Sequence, residues 1–161
     1  MNQFQNIQER HNSTRMPVLF LGHGSPMNAI ESNPFTQSLQ ALRKKIPQPK
    51  AILCISAHWL TEGTWVTHMP NPKTIHDFYG FPKVLFDVLY PAPGSPETAD
   101  LVQLTVQQPK INLDDEIWGL DHGTWSVMRH IYPEANIPIV QMSIYLEQPG
   151  SYHYQIGLYP N

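Results

Sequence analysis

Three histidines lie in sequence contexts where a metal ion or a proton-transfer step would use them. His23 follows the apolar run of residues 17–21, His58 follows a second apolar run at 51–56, and His122 lies in the segment LDHGTW. In an open α/β sheet, ligands bind beyond the carboxyl ends of the strands. Two parallel strands joined by one helix would bring His23 and His58 to the same edge. Two neutral imidazoles there would make half of a transition-metal site, although a histidine at a strand end can also be a hydrogen-bonded structural residue.

The apolar pattern predicts the elements that must position these histidines. Asn33 and Pro34 predict the start of a helix between the first two apolar runs. A strand–helix–strand order is typical of parallel pairs. We therefore expect an α/β fold: a mostly parallel central sheet flanked by helices in a three-layer sandwich. Strands are predicted at residues 17–21, 51–56, 64–69, 111–113 and 137–144, and further helices near 83–89, 95–108 and 124–131.

Composition excludes several classes of protein. The chain has 161 residues, a formal net charge of -3 and no basic run longer than three residues, which argues against a dedicated nucleic-acid binder. No apolar stretch is long enough to span a bilayer, and residues 1–15 lack the apolar region of a secretory signal. The single cysteine, Cys54, is expected to be a buried core thiol in a reducing compartment. We expect a cytoplasmic protein with no membrane partner, a disordered lead-in at 1–15 and a single catalytic-type domain at 16–161.

Five segments carry motifs that are long enough to be specific: LFLGHGSPMNAI, CISAHW, IHDFYGFP, LYPAPGSPE and GLDHGTWSVMRHIYPEANIPIVQMSI. They closely resemble extradiol aromatic ring-opening dioxygenases of the DOPA 4,5-dioxygenase type. This group belongs to the class III, protocatechuate-4,5-dioxygenase-β-like superfamily. The resemblance covers residues 16–157 and implies an α/β sandwich around a non-haem metal. It implies one Fe(II) or Zn(II) ion per chain, with O2 as co-substrate.

The resemblance also implies roles for five residues. His23 and His58 match metal ligands, and His122 matches a histidine that acts as acid and base beside the metal. His76 and Tyr79 match a loop that borders the substrate pocket, although an ordinary aromatic loop packed on the sheet would have the same pattern. The implied reaction inserts both atoms of O2 into a catechol such as DOPA and gives a ring-opened semialdehyde.

Histidine suits this chemistry for two reasons. Neutral imidazoles hold an ion without cancelling its charge, so a catechol bound to the ion loses its protons more easily. A further imidazole that does not bind the metal can exchange a catechol proton, because its unperturbed pKa is about 6.5.

The chain departs from the resembled group in its length. Members run roughly a hundred residues longer, well beyond ordinary loop variation. We therefore expect a C-terminally truncated chain that lacks further strands and another metal-binding histidine. Two histidines alone hold a metal loosely, so this fragment should bind iron or zinc weakly and show little activity. The exposed sheet edge would favour self-association.

Two other functions remain open. A metal-dependent hydrolase would also use histidines at strand ends, but it would need a carboxylate-rich metal shell. The sequence does not place any of its candidate carboxylates as an obvious partner: Asp77, Asp114, Asp115 and Asp121. The remaining alternative is a non-catalytic remnant that binds without turnover.

Overall fold

A mixed four-stranded sheet forms the centre of the computed structural model, which describes residues 16–158. The predicted lead-in at 1–15 lies outside the described residues. In chain order the strands are β1 (Ile52–Thr61), β2 (Thr64–Thr67), β3 (Ile111–Asp114) and β4 (Ile139–Tyr145). The spatial order is β1-β4-β2-β3. The β1–β4 and β2–β3 pairs are parallel and the β2–β4 pair is antiparallel, which confirms the predicted α/β class.

Five α-helices in the described residues surround the sheet: α1 (Pro34–Leu42), α2 (Lys83–Phe86), α3 (Pro96–Thr105), α4 (His122–Ile131) and α5 (Gly150–Ile156). A 3-10 turn, Pro26–Ala29, precedes α1. None of these helices is long and apolar enough to cross a bilayer. The expected cytoplasmic location stays a prediction.

Side-chain caps explain why three of the helices begin where they do. Asn33 accepts a hydrogen bond from the Thr36 N–H, and the Thr36 hydroxyl accepts one from the Asn33 N–H, which completes a capping box at α1. Ser95 caps α3 in the same position, and Asp121 caps α4. The cap at Asp121 matters most for function, because it fixes the residue that follows, His122, as the first residue of a helix.

Two apolar cores lie on the two faces of the sheet. The larger core packs α1, α4 and the 3-10 turn around the fully buried Trp125 and Leu120, and Ile139 of β4 points into it. The smaller core contains Val140 and Met142 of the same strand, together with residues of α3 and α5. Neighbouring side chains of β4 thus face opposite sides of the sheet. Helices therefore cover both faces, as a three-layer arrangement requires.

The prediction of a strand at residues 17–21 is wrong. This segment is extended but pairs with no strand in the described part of the chain, and Val18 and Phe20 are fully exposed. The predicted parallel partner, β1, pairs with β4 instead, and its other edge has no strand partner among residues 16–158. An apolar run forms a strand only where a neighbour supplies hydrogen bonds, and no described segment does so here. Self-association through the open edge of β1 stays a prediction.

Candidate metal centre

His23, His58 and His122 converge at one point beside the sheet. The Nε2 atoms of His23 and His58 are 2.8 Å apart. The ring centroid of His122 lies 4.8 Å from that of His23 and 4.1 Å from that of His58. One ring nitrogen from each histidine lies within 4.8 Å of the others. The expected meeting of His23 and His58 is therefore observed, although only His58 comes from a strand.

Short polar contacts hold His23 in place at the end of its extended segment. The Asn28 side chain donates a hydrogen bond of 3.1 Å to the His23 carbonyl, and its own Oδ1 accepts one from Asn33 at the start of α1. Gly24, which follows the histidine, has a φ of +66°, a conformation that favours glycine. The chain therefore turns at Gly24 and brings Asn28 back onto the His23 backbone.

An irregularity in β1 places His58 at the site. The register with β4 shifts between Ile55 and Leu60, so His58 lies in the interrupted part of the ladder. Such bulges are over-represented next to active sites, because they re-aim side chains. Ser56 Oγ accepts a hydrogen bond from the His58 N–H and donates one of 2.9 Å to Asp121 Oδ1. This contact joins the bulge to the cap of α4.

His122 begins α4 and is almost fully buried, with 6% of its side chain exposed. Its backbone N–H donates to Asp77 Oδ1 at 2.9 Å, and its ring Nδ1 lies 2.8 Å from the same oxygen. The other oxygen, Oδ2, lies 3.6 Å from Nδ1 of His58. Sequence reasoning missed this role, since Asp77 counted only as an unplaced carboxylate. The one local signal was its position in the motif IHDFYGFP.

Helix α4 approaches His58 so closely that any side chain at position 123 would displace the His58 imidazole. A Cβ atom there would lie 2.6 Å from Cδ2 of His58 and 3.2 Å from Ser56 Oγ. Real carbon–carbon contacts are about 3.5 Å or longer. The glycine in the sequence DHGTW thus allows the imidazoles of His58 and His122 to lie close together.

The electrostatics of the site favour a neutral imidazole at His23 and an ionised carboxylate at Asp77. Burial, together with the neighbouring His122 and His58, lowers the pKa of His23, so this ring is neutral at pH 7. Burial alone would raise the pKa of Asp77, but hydrogen bonds from the ring and backbone of His122 outweigh it. The pKa of Asp77 is therefore lowered, so its carboxylate stays ionised and acts only as a hydrogen-bond acceptor.

The other two predicted site residues, His76 and Tyr79, lie in the loop that carries Asp77. His76 donates from Nε2 to the Val88 carbonyl at 2.9 Å, and its ring packs against Phe78 and Trp125. Tyr79 is 92% exposed. The residue of this loop whose ring packs against one of the three histidines is Phe78, whose centroid lies 5.4 Å from that of His122. Substrate contacts by His76 and Tyr79 stay a prediction.

Three of the four carboxylates considered for a hydrolase have other partners. Asp114 accepts hydrogen bonds from the backbone N–H groups of residues 116–118, and Asp115 pairs with His68. Asp121 caps α4 and accepts hydrogen bonds from Ser56 and Gln141. Only Asp77 reaches the histidines.

The nitrogen atoms fit a transition-metal ion. With metal–nitrogen bonds of about 2.0–2.1 Å, two ligands at a right angle on one ion are about 3 Å apart. The 2.8 Å between Nε2 of His23 and Nε2 of His58 is close to that value. Imidazole donors suit zinc and iron, and the donor set alone does not select one of them.

Residues 14–158 match the family model described as the catalytic LigB subunit of aromatic ring-opening dioxygenase. The chain belongs to this family. Dioxygenases of the LigB family use a metal ion and O2, and the three histidines are the residues of this chain, within the described part, that could bind a metal. The recognition from sequence motifs is thereby confirmed.

Two curated relatives of the chain share one enzyme name. The chain is 55% identical over 146 residues to a 4,5-DOPA dioxygenase extradiol of Escherichia coli (strain K12), covering 90% of this chain and 54% of that one. It is 44% identical to the enzyme of the same name from Beta vulgaris, covering 87% and 54%. A crystal structure of an uncharacterized protein from Escherichia coli K12 superposes with a TM-score of 0.72 at 45% identity, covering 89% and 53%. The chain thus spans about half the length of the curated relatives it matches.

Proposed function

We propose that this chain carries the histidine centre of a metal-dependent extradiol dioxygenase, which opens the ring of a catechol such as DOPA. The observation that carries the proposal is the 2.8 Å approach of His23 Nε2 to His58 Nε2, with His122 beside both. In this proposal His23 and His58 hold one Fe(II) or Zn(II) ion. When bound, the ion supplies a Lewis acid that favours the ionised catechol and gives catechol and O2 a common binding site.

His122 is proposed to move the proton. Its Nδ1 is engaged by Asp77, so Nε2 is the ring nitrogen left to accept a proton from a catechol hydroxyl and to return it after the ring opens. The Phe78 ring lies perpendicular to that of His122, at 88°, and shields it from water on that side. His76 and Tyr79 are proposed to border the pocket from the same loop. A catechol is the chemical class that this arrangement suits.

The geometry favours an oxygenase over a hydrolase. A hydrolytic centre of this kind needs carboxylates near the metal, and three of the four candidates are occupied elsewhere in the fold. The fourth, Asp77, directs its closer oxygen to the backbone and ring of His122. Among the described residues, the donors that could hold an ion at this point are therefore imidazoles alone.

Metal binding is the first test of the proposed function. Fe(II) or Zn(II) would be titrated anaerobically into the 161-residue chain, into His58→Ala and into the matched control His153→Gln. His153 lies in α5 and contacts the Tyr145 carbonyl, away from the centre. We expect one weakly bound ion per chain in the wild type and the control, and loss of binding in His58→Ala. Binding that survives His58→Ala would contradict the proposed ligands.

Oxygen uptake with DOPA is the second test. After anaerobic loading with Fe(II), admission of O2 should give slow uptake together with a new yellow semialdehyde absorbance, and neither in His58→Ala. Ester hydrolysis without oxygen uptake would instead support a hydrolase. Metal binding without either reaction would support a non-catalytic remnant.

A further inference from the structure

A single carboxylate, that of Asp77, lies between two of the three histidines. Its Oδ1 receives both the backbone N–H and the ring Nδ1 of His122, at 2.9 and 2.8 Å. Its Oδ2 is 3.6 Å from Nδ1 of His58. An ionised carboxylate only accepts hydrogen bonds, so the proton between Asp77 and the His122 ring lies on Nδ1. His23 is different, because its Nδ1 has no hydrogen-bond partner among the described residues.

We propose that Asp77 is a positioning residue that fixes His122 in its Nδ1–H tautomer and leaves Nε2 unprotonated. Which nitrogen of a histidine carries the proton is set by the hydrogen bond that the other nitrogen makes. Because one oxygen binds both the backbone and the ring of His122, it also fixes the direction of the side chain. The consequence for proton transfer rests on the proposed function, whereas the tautomer itself does not.

The loop that carries Asp77 is anchored on both sides of His122. The Ile75 N–H donates to the Leu120 carbonyl at 2.8 Å, just before the start of α4. The Ile75 carbonyl accepts a hydrogen bond of 2.7 Å from Trp125 Nε1, one turn into the helix. Trp125 is fully buried, so this anchor belongs to the larger core. The position of Asp77 is thus tied to the helix whose first residue it holds.

The carboxylate next to His122 in the chain, that of Asp121, is not free to take this part. Asp121 precedes His122 in sequence, but its two oxygens accept hydrogen bonds from Ser56, Thr124 and Gln141. These contacts hold the bulge of β1 and the start of α4 together. The two aspartates therefore have different roles: Asp121 holds the backbone at the site, and Asp77 orients the ring of His122.

The tautomer can be measured directly on the metal-free chain. Long-range 1H–15N correlation spectra of the histidine side chains, recorded at about pH 8 where an ordinary imidazole is neutral, distinguish a protonated from a bare ring nitrogen. We expect wild-type His122 to show Nδ1–H and a bare Nε2. Asp77→Asn keeps an acceptor oxygen and should retain this pattern. Asp77→Ala removes it, and His122 should distribute between both tautomers.

Asp115→Ala is the matched control, because it breaks another aspartate–histidine contact in the same chain. Asp115 lies 2.6 Å from His68 Nδ1, and neither residue contacts His122. The control should change the spectrum of His68 and leave that of His122 unchanged. A wild-type His122 protonated on Nε2, or a His122 pattern unchanged in a folded Asp77→Ala, would overturn the proposal. If Asp77→Ala does not fold, the wild-type and Asp77→Asn spectra still decide.

Kinetics of the iron-loaded chain supply a second, separate readout. Asp77→Ala should lower kcat for catechol on the order of 10–100-fold, the usual cost of losing an orienting partner, with a much smaller change in KM. Asp77→Asn should recover part of the loss. If the spectra agree and the wild type has no oxygenase activity, the proposed function fails and the assignment of Asp77 stands. If the spectra disagree, the assignment fails whatever the activity.

Discussion

Gly123→Ala should separate the stability of this fold from the integrity of its metal centre. The added methyl carbon would lie 2.6 Å from Cδ2 of His58, whereas carbon atoms in ordinary contact are about 3.5–4.0 Å apart. The imidazole must therefore retreat by about 1 Å. Metal–ligand distances are tolerated only within about 0.2 Å, so His58 cannot keep its place in the centre. We expect metal affinity to fall on the order of 10–100-fold, as for other losses of ligand orientation.

The same substitution should cost the fold little. The clash is with the end of a side chain that can rotate away, and the nearest other atoms, Ser56 Oγ and Asp121 Oδ1, are at 3.2 and 3.3 Å. Position 123 lies in α4, where alanine is favoured over glycine by up to about 1 kcal/mol. These effects oppose each other. The free energy of unfolding should therefore stay within about 1 kcal/mol of the wild-type value.

The assay is competition for Zn(II) against a chromophoric chelator, with urea unfolding followed in parallel. The matched control is Gly22→Ala, which makes the same change beside His23, where an added Cβ would meet nothing within 4 Å. The control should bind Zn(II) as the wild type does. Equal Zn(II) affinity in Gly123→Ala and Gly22→Ala would refute the argument that the approach of α4 places His58. Unfolding of Gly123→Ala would refute the argument that the clash is relieved by the ring alone.

Three further predictions concern the surroundings of the site. The hydrogen bond with Asp115 raises the pKa of His68, so the stabilisation that this pair gives the fold is present below about pH 6.5 and is lost as the pH rises through the folded-state pKa. Asp115→Asn should therefore lower the free energy of unfolding, measured in urea, by under about 1 kcal/mol at pH 5.5–6. The same substitution should leave it unchanged at about pH 9. Burial raises the pKa of Cys54 to about 11, so a thiol reagent at about pH 8 should label it slowly in the folded chain and rapidly after unfolding in urea. Trp125→Phe removes the donor to the Ile75 carbonyl and leaves a cavity at a fully buried position, so urea unfolding should show that the free energy of unfolding falls by at least about 1 kcal/mol. No loss would mean that this hydrogen bond does not hold the loop.

The elements that the sequence predicts correctly are those whose signals are local. Asn33 with Pro34 marks the start of α1, because the cap is formed within three residues. The strand predicted at 51–56 exists and continues to Thr61, since Leu60 and Thr61 pair with β4 again after the irregularity. Residues 17–21 have an equally apolar pattern and form no strand. Strand propensity depends on the residues of one segment, and those residues do not identify the neighbouring strand that the segment needs as a partner.

The same limit explains which site residues could be found in advance. His23, His58 and His122 stand out because each follows a predicted element or a glycine-containing motif, and the family motifs name them. Asp77 is 45 residues from His122, and no spacing rule connects a loop carboxylate to a helix start over that distance. Its role requires the anchors at Leu120 and Trp125, which are set by tertiary packing.

The three histidines are held with unequal strength, which bears on how the centre would bind an ion. His58 and His122 are joined through Ser56, Asp121 and Asp77, a set of contacts in which Asp121 is fully buried. His23 comes at the end of an exposed segment that has no strand partner among the described residues, and one hydrogen bond from Asn28 holds its carbonyl. If an ion is shared by His23 and His58, the cost of ordering the backbone before His23 therefore offsets part of the binding free energy. Fixing each residue costs about 1–2 kcal/mol. The weak affinity expected of this chain then follows from the loosely held ligand as much as from the number of ligands.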